Sequence, residues 1–208
     1  MLAEKGNKKI IWFRNNLRTH EATFWKHIQE EDDVVGIFCI EPTWFEKTPF
    51  GWKKMEVFRA QFLVETLQEL QLQLSKNNIS FYFFHCHAIQ AFEEIYSSFP
   101  FDTIISQKEW TQEEVEVENK VRTAFLNVSW KTDYDQFLIE PAQLPFSLND
   151  LPDVFTSYRK KVEQKWAVKA VQSKPNILFK KLNLPFSSSI PTIEELGYSS
   201  LQVDERSA

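Results

Sequence analysis

The chain has 208 residues, of which 43% are hydrophobic and 25% are charged, and its formal net charge is −5 at pH 7. These proportions are ordinary for a folded globular protein and unlike those of a disordered chain. The length allows one sizeable domain, or one domain with a tail. The acidic balance argues against nonspecific nucleic-acid binding by the chain as a whole, but it is compatible with a local basic patch.

Several residue types exclude whole classes of site. The two cysteines, Cys39 and Cys86, fit no metal-binding or disulfide spacing, and we expect both to be buried thiols in a reducing cytoplasm. The four glycines are scattered, so no glycine-rich phosphate-binding loop is available. No stretch approaches the length of a membrane span, and the N-terminus lacks an apolar signal region. We therefore expect a cytoplasmic protein without a membrane partner.

Five short apolar runs alternate along the chain with stretches of helical period. The run "DVVGIFCI" is rich in β-branched residues and nearly continuous, which is typical of a strand buried on both faces. The same reasoning predicts strands over residues 9–13, 33–40, 79–85, 102–106 and 127–130.

The segments between these runs predict helices. Over residues 54–76, apolar residues recur at steps of three and four, which places them on one face of a long helix. They are Ala60, Leu63, Leu67, Leu70 and Leu74. Further helices are predicted over 21–29, 89–99 and 111–125. Because parallel neighbours need crossover connections, five strands separated by helices predict an α/β fold with a parallel sheet.

The pattern changes after the fifth strand. "DLPDVFTSYRKKVEQKW" (150–166) predicts one more amphipathic helix, with Pro152 in its first turn. Its expected apolar face consists of Val154, Phe155, Tyr158 and Val162. Residues 167–208 show no core-forming period, and their prolines and serines indicate an extended segment. Since this segment carries several large apolar side chains, we expect it to lie against another surface.

Polar side chains follow the first strand. "IIWFRNNLR" (10–18) ends in Arg14, Asn15, Asn16 and Arg18. Open parallel sheets bind ligands at the carboxyl ends of their strands, so these residues are candidates for a ligand site or for docking another domain. Loop capping is an equally good interpretation, because Asn tolerates turn conformations and arginines pair with acidic neighbours.

A second polar group follows the fourth strand. In "SQKEWTQEE" (106–114), Lys108, Glu109 and Trp110 stand directly before a capping box that begins at Thr111. A carboxylate can accept the ring N–H groups of a planar heterocycle while an aromatic side chain covers its face. From the residues alone, a surface tryptophan beside a salt-bridged glutamate is the favoured interpretation.

Other clusters predict no chemistry. His85 and His87 share a strand face, but no further ligand stands at a metal-binding spacing, so a structural or surface role is the better interpretation. The acidic run over residues 113–118 is most simply the solvated face of a helix, whose first carboxylates favour the helix dipole. No nucleophile triad, HExxH motif or pair of carboxylates in a pocket is recognisable, and we predict no catalytic residue.

Three separated motifs carry a resemblance that covers most of the chain. They are "IIWFRNNLR" (10–18), "FRAQFLVETLQEL" (58–70) and "DLPDVFTSYRKKVE" (150–163), and "PTIEELGY" (191–198) also fits. In this order they resemble the photolyase/cryptochrome family, and the DASH-type cryptochromes in particular. The resemblance implies that residues 1–166 form the Rossmann-like domain of this family, which has a five-stranded parallel sheet and hosts or borders an antenna chromophore. Residues 167–208 would then be the linker to a helical FAD-binding domain that is missing here.

The resemblance also implies an antenna cofactor. DASH-type members commonly bind methenyltetrahydrofolate between their two domains, and a glutamate at the place of Glu109 bonds the pterin ring. Lys108 and Trp110 are candidate neighbours in that cofactor-binding site. With half of the cleft absent, folate affinity is expected to be poor. Two departures question the local loop geometry: Asn16 stands where the family usually has Asp, and "KKMEV" (53–57) replaces the usual "KTG" stretch.

Two functional hypotheses follow. In the first, the chain is the antenna-side domain of a cryptochrome DASH or photolyase, whose full-length form repairs cyclobutane pyrimidine dimers with FAD and blue light. Its partners would be the helical FAD-binding domain and, for the full-length protein, DNA; this chain alone would not catalyse the reaction. In the second, it is a stand-alone binding or interaction module that has kept the fold without light-dependent catalysis.

Overall fold

The computed structural model describes residues 6–167, 174–186 and 188–199. Its strands are β1 (Lys8–Phe13), β2 (Asp33–Cys39), β3 (Ser80–Phe84), β4 (Thr103–Gln107) and β5 (Ser129–Asp133). They form one sheet in the order β3-β2-β1-β4-β5, and every neighbouring pair is parallel. The predicted α/β fold with a five-stranded parallel sheet is confirmed.

Four α-helices accompany the sheet in the described part of the chain. They are α1 (Val57–Ser75), α2 (Ala88–Ser98), α3 (Gln112–Ala124) and α4 (Phe155–Lys165). The leucine and alanine stripe predicted for the long helix is the buried face of α1. Among the described helices, none combines the length and the apolar character that a membrane crossing needs.

The sheet is buried on both faces. In β1, Ile11 and Phe13 pack with α1 on one face, whereas Ile10 and Trp12 pack with α2 and α3 on the other. Successive side chains of a strand point to opposite faces, so a strand covered on both sides has to be apolar throughout. This requirement explains why the strands of the chain are nearly continuous apolar runs.

The second predicted helix and the fifth predicted strand differ from the structure. The helix predicted over 21–29 is a short 3-10 helix, Thr23–His27, so that prediction was wrong in type and length. One local and one long-range bond fix this turn: the Trp25 indole N–H donates to the Thr19 carbonyl at 2.7 Å, and the Thr23 N–H donates to the Asp135 carboxylate at 3.3 Å. The fifth strand lies later than the predicted 127–130, because its pairing with β4 begins at Ser129.

The helix predicted within residues 150–166 is present as α4, but its start and its buried face differ. Val154 is extended and precedes the first turn, so Pro152 lies before the helix rather than inside it. Of the four residues expected on an apolar face, only Val162 is buried, and Phe155 is 72% exposed. The predicted burial of that face was therefore wrong for most of its length within this domain.

The segment that follows packs along β3, although its sequence shows no core-forming period. Phe179, Ile193 and Leu196 are buried in the same core cluster as α1. Beside the strand, the Tyr82 hydroxyl accepts the Leu184 N–H at 2.7 Å, and Ser188 bonds the backbone of Phe83. The segment was expected to lie against another surface, and its described residues pack against β3 and α1. Residues 168–173, 187 and 200–208 lie outside the described part.

The two edges of the sheet differ. The outer side of β3 is lined by the segment just described, whereas β5 pairs only with β4 in the described part of the chain. Strand β5 is five residues long, and Lys131 at its centre is exposed. A short edge strand with a charged residue is poorly suited to pairing with another chain.

The two cysteines are free thiols in different surroundings. Cys39 is buried at the end of β2, but Cys86 is only half-buried, so the expectation of two buried thiols holds for the first alone. Burial raises the pKa of both thiols above the usual cysteine value. A raised pKa disfavours the nucleophilic thiolate, and a reactive role for either is not indicated.

Candidate functional site

A cavity of about 710 Å³ lies at the carboxyl edge of the sheet. Its walls come from the ends of β1 and β2, the loop before α1, one side of α1 and the first turns of α3. Strand β1 borders the point at which the strand order reverses, since β2 lies on one side of it and β4 on the other. Open parallel sheets bind ligands at this place, and the volume is in the range of small-molecule sites.

Five of the residues that line the cavity are aromatic. Trp12, Phe13 and Phe38 reach it from the sheet, and Trp44 and Phe62 reach it from the loop and from α1. Flat side chains of this kind can cover the faces of a planar ring. The aromatic residues of the strands could not be recognised as cavity residues from the sequence, because they have the same apolar pattern as any buried strand.

Arg14 is the most buried cation of the cavity wall. Its Nη2 donates to the backbone carbonyl of Glu114 at 2.9 Å, and its guanidinium lies 4.6 Å from the centre of the Trp12 ring. Its Nη1 is 3.6 Å from Glu118 Oε2, and neither of these two atoms has a hydrogen-bond partner in the described part of the chain. Burial lowers the pKa of Arg14, while the negative charges of Glu109, Glu118 and Glu114 oppose this change.

Asn15 joins two carboxylates beside the cavity. Its amide donates to Glu109 at 3.1 Å and to Glu114 at 2.7 Å. Burial raises the pKa of Glu109, and this effect exceeds that of its hydrogen bonds from Asn15 and Gln107. For Glu114, burial also acts to raise the pKa, but hydrogen bonds from Asn15 and Thr111 outweigh it and the net pKa is lowered. The two carboxylates therefore differ in how readily they take up a proton.

The three candidate residues after β4 are separated from the cavity. Glu109 is 3% exposed, and it contacts Asn15, which lines the cavity, without lining it itself. The Trp110 indole is 48% exposed and stacks on Tyr134, with 5.3 Å between the ring centres. The backbone N–H of Lys108 donates to the Asp133 carbonyl at 2.7 Å. The structure thus brings Glu109 to the first residues after β1, but it leaves Trp110 in a surface stack.

The remaining polar residues after β1 are bonded within the domain. Arg18 Nη2 lies 2.9 Å from the Asp135 carboxylate, and the Asn16 amide donates to the same carboxylate at 3.2 Å. Burial raises the pKa of Asp135, although Arg18 and the hydrogen bond from Asn16 act against this change. The loop-capping interpretation therefore accounts for Asn16 and Arg18, and these contacts count against a docking role for them. Asn16, which stands where the resemblance leads us to expect Asp, can donate to the Asp135 carboxylate because its side chain is an amide.

His85 and His87 contact different residues. His87 Nδ1 is 2.9 Å from Glu41, whose other oxygen accepts the Ala88 N–H at the start of α2 at 2.9 Å. His85 contacts the edge of the Phe45 ring. Glu41 was not recognised from the sequence, because it comes from the end of β2 and is far from both histidines along the chain.

Comparison with known proteins identifies the family. The DNA photolyase family model matches residues 9–176. The chain belongs to the DNA photolyase family. It is 30% identical to cryptochrome DASH of Gloeobacter violaceus over 200 residues, which cover 95% of this chain and 40% of that protein. It is 28% identical to the chloroplastic/mitochondrial cryptochrome DASH of Arabidopsis thaliana, covering 93% of this chain and 35% of that protein.

Solved structures of this family share the fold. The cryptochrome of Synechocystis sp. PCC6803 superposes with a TM-score of 0.84 at 28% identity, covering 97% of this chain and 42% of that one. The photolyase of Sulfolobus tokodaii, solved with two FAD molecules, has a TM-score of 0.67 at 18% identity, covering 91% of this chain and 40% of that one. This chain therefore spans about two fifths of the length of these relatives.

Proposed function

We propose that this chain is the antenna-chromophore domain of a DASH-type cryptochrome, and that the cavity at the carboxyl edge of the sheet holds a planar chromophore. The observation that carries the proposal is the position of the cavity. It lies beside the reversal of strand order and is lined in part by aromatic side chains, in a chain of the DNA photolyase family. A flat, largely apolar ring gains the most from such walls.

The chromophore proposed from the resemblance is methenyltetrahydrofolate, with Glu109 as the carboxylate that accepts hydrogen bonds from the pterin ring. Two observations support this role for Glu109. It is a buried carboxylate of raised pKa, and it is bonded to Asn15 on the cavity wall. Carboxylates of perturbed pKa beside a cavity are candidates for ligand recognition. Lys108 and Trp110 do not line the cavity, so they remain proposed neighbours only for a ligand that extends beyond it.

For the whole protein we propose the activity of the family: repair of cyclobutane pyrimidine dimers in DNA by a helical FAD-binding domain. The antenna would supply absorbed light energy to that flavin. The residues of this chain would bind and orient the antenna, and the covalent chemistry on DNA would belong to the helical domain.

The test is an absorption titration of the purified chain with methenyltetrahydrofolate. Thr66 lines the cavity from α1, and Thr123 is an exposed residue of α3 that serves as its control. The hydroxyl of each threonine donates to the backbone carbonyl one turn earlier in its helix. Thr66→Trp places a bulky ring in the cavity, whereas Thr123→Trp adds the same bulk elsewhere. We expect Thr66→Trp to weaken folate binding at least about tenfold and Thr123→Trp to leave it unchanged. Glu109→Gln should weaken it about tenfold, through loss of a charged acceptor.

The outcomes separate the parts of the proposal. Equal folate affinity in Thr66→Trp and in the unmodified chain would contradict binding in the cavity. Unchanged affinity in Glu109→Gln would contradict the role of that carboxylate alone. No folate binding by the unmodified chain up to the solubility limit of folate would contradict folate binding by the residues of this chain alone and would favour a stand-alone interaction module.

A further inference from the structure

The loop before α1, residues 44–56, forms one rim of the cavity, and we call it the rim loop. Three of its residues line the cavity: Trp44, Lys54 and Met55. The Met55 N–H donates to the Trp44 carbonyl at 2.8 Å, which joins the two ends of the loop. Lys54 reaches Glu113 across the cavity at 2.6 Å, but these side chains are 37% and 69% exposed, and exposed ion pairs contribute little. The position of the rim loop therefore depends on its other contacts.

A short turn near the end of the described chain, residues 192–198, is capped on both sides, and we call it the C-terminal turn. At its start, the Thr192 hydroxyl accepts the Glu195 N–H at 3.2 Å, and the Glu195 carboxylate accepts the Thr192 N–H at 2.8 Å. This reciprocal pair is a capping box. At its end, Gly197 has φ +83°, and the Tyr198 N–H bonds back to a carbonyl of the turn at 3.1 Å, as in a Schellman motif. These bonds fix the direction in which the tyrosine leaves the turn.

The C-terminal turn contacts the core and the rim loop at the same time. Its Ile193 and Leu196 are buried in the core cluster that contains the buried face of α1. The Tyr198 hydroxyl donates to the Met55 carbonyl, so Met55 is bonded through both of its backbone groups. The Tyr198 ring also lies 4.9 Å from Lys53 Nζ. The turn thus ties the rim loop to the core through one tyrosine.

The Tyr198 hydroxyl is suited to this role as a donor. Burial raises the pKa of Tyr198, and the negative charge of Glu56 acts in the same direction. The phenol therefore stays protonated near neutral pH and keeps the proton that the Met55 carbonyl accepts. A carbonyl that loses its donor away from bulk water is unfavourable, so removal of the hydroxyl favours rearrangement of the rim loop.

We propose that Tyr198 is a positioning residue of the cavity, and that docking of the C-terminal turn and ligand binding in the cavity stabilise each other. The turn holds the rim loop where its residues line the cavity, so a ligand does not have to order the loop itself. Coupling of this kind is reciprocal, since a ligand that contacts the ordered loop also holds the turn in place. This inference rests on the proposed chromophore-binding function and adds to it control of the site by the C-terminal segment.

Three substitutions separate the positioning role from a general effect on stability. Tyr198→Phe removes the hydroxyl and leaves the ring beside Lys53. Ser188→Ala removes a bond between the same segment and β3, at the backbone of Phe83. Tyr96→Phe removes the same hydroxyl group from a 40% exposed residue of α2 that does not line the cavity.

Amide hydrogen exchange of the purified chain, followed by NMR without ligand, measures how firmly the rim loop is held. We expect Tyr198→Phe to speed exchange of the Met55 amide about fivefold, as the loss of one partly buried hydrogen bond predicts. Ser188→Ala and Tyr96→Phe should leave the exchange of this amide unchanged. Unchanged Met55 exchange in Tyr198→Phe would overturn the positioning role, whatever the cavity binds.

An absorption titration with methenyltetrahydrofolate then measures the coupling. We expect Tyr198→Phe to weaken folate binding about threefold to tenfold, and Ser188→Ala and Tyr96→Phe to leave it unchanged. Saturating folate should also slow exchange of the Leu196 amide in the unmodified chain, because ligand and turn stabilise each other. This protection should shrink in Tyr198→Phe, in which the turn no longer bonds the rim loop.

The remaining outcomes separate this inference from the proposed function. Faster Met55 exchange with unchanged folate affinity in Tyr198→Phe would refute the coupling and leave the proposed function standing. Equal losses of affinity in Tyr198→Phe and Ser188→Ala would indicate a general effect on stability and refute the positioning role. No folate binding by the unmodified chain would refute the proposed function together with the coupling, whereas Met55 exchange would still decide whether Tyr198 holds the rim loop.

Discussion

Phe179 provides a sharp test of how the C-terminal segment contributes to stability. Its ring is 2% exposed in the core cluster that contains the buried face of α1. Its backbone N–H donates to the Asn77 carbonyl at 3.0 Å, just after α1. The change Phe179→Ala removes the ring and leaves the backbone bond possible. The adjacent Leu178 is 65% exposed, so Leu178→Ala is a control in the same stretch of chain.

The expected magnitude follows from burial. Replacing a fully buried phenylalanine by alanine costs about 3–5 kcal/mol, through lost transfer free energy and the cavity that remains. Domains of this kind unfold with a free energy of about 5–15 kcal/mol, so the change removes a large fraction of the total. For Leu178→Ala, the exposed position predicts a change within about 0.5 kcal/mol.

Urea unfolding followed by circular dichroism measures both variants. With a denaturant slope of about 2–3 kcal/mol per molar urea, Phe179→Ala should lower the midpoint by about 1–2 M. The midpoint of Leu178→Ala should stay close to that of the unmodified chain. If Phe179→Ala costs less than about 1 kcal/mol, or if both variants lose the same stability, the segment does not belong to the cooperative core.

Two further contacts make testable predictions. Arg18→Ala should cost about 1–2 kcal/mol at neutral pH, because it removes the partially exposed cation paired with the buried Asp135 carboxylate. Burial raises the pKa of Asp135, so this carboxyl group is protonated more readily as the pH falls, and its neutral form needs no cation. The cost of Arg18→Ala should therefore shrink at about pH 4. A cost that does not change with pH would contradict the ion pair. Arg159→Ala, from an exposed helix pair, should change the unfolding free energy by less than about 0.5 kcal/mol. Thr111→Ala removes the cap of α3 and should cost about 1 kcal/mol in urea unfolding, with Thr123→Ala as the control.

The sheet and the principal helices were predictable because their patterns are strong. The buried stripe of α1 follows from spacing alone, and the order of strands and helices fixes the fold class. The burial of α4 could not be predicted in the same way, since an apolar face such as that of Phe155 needs a partner surface, and helical spacing does not say whether one is present. The buried ring of Phe179 was missed because an extended segment has no helical period to reveal which residues face the core.

The candidate site was only partly predictable. The polar residues after β1 and β4 were recognised, because ligands of parallel sheets bind at the ends of strands. The cavity also depends on Trp44, Lys54 and Phe62, which come from a loop and from the exposed side of α1. These residues come together only through the conformation of the loop before α1, and no local sequence pattern predicts that conformation.

The coverage of β3 has a consequence for how the molecule behaves in solution. An exposed outer strand offers a row of unpaired backbone groups to which another polypeptide can add. Here the Ser188 hydroxyl accepts the Phe83 N–H and the Tyr82 hydroxyl accepts the Leu184 N–H, so the C-terminal segment covers the β3 edge of the sheet. At the other edge, β5 is short and its exposed Lys131 disfavours pairing with another chain. A version of the protein cut at residue 166 would uncover the β3 side, and we expect it to self-associate through strand addition. The C-terminal segment thus also protects the sheet from aggregation.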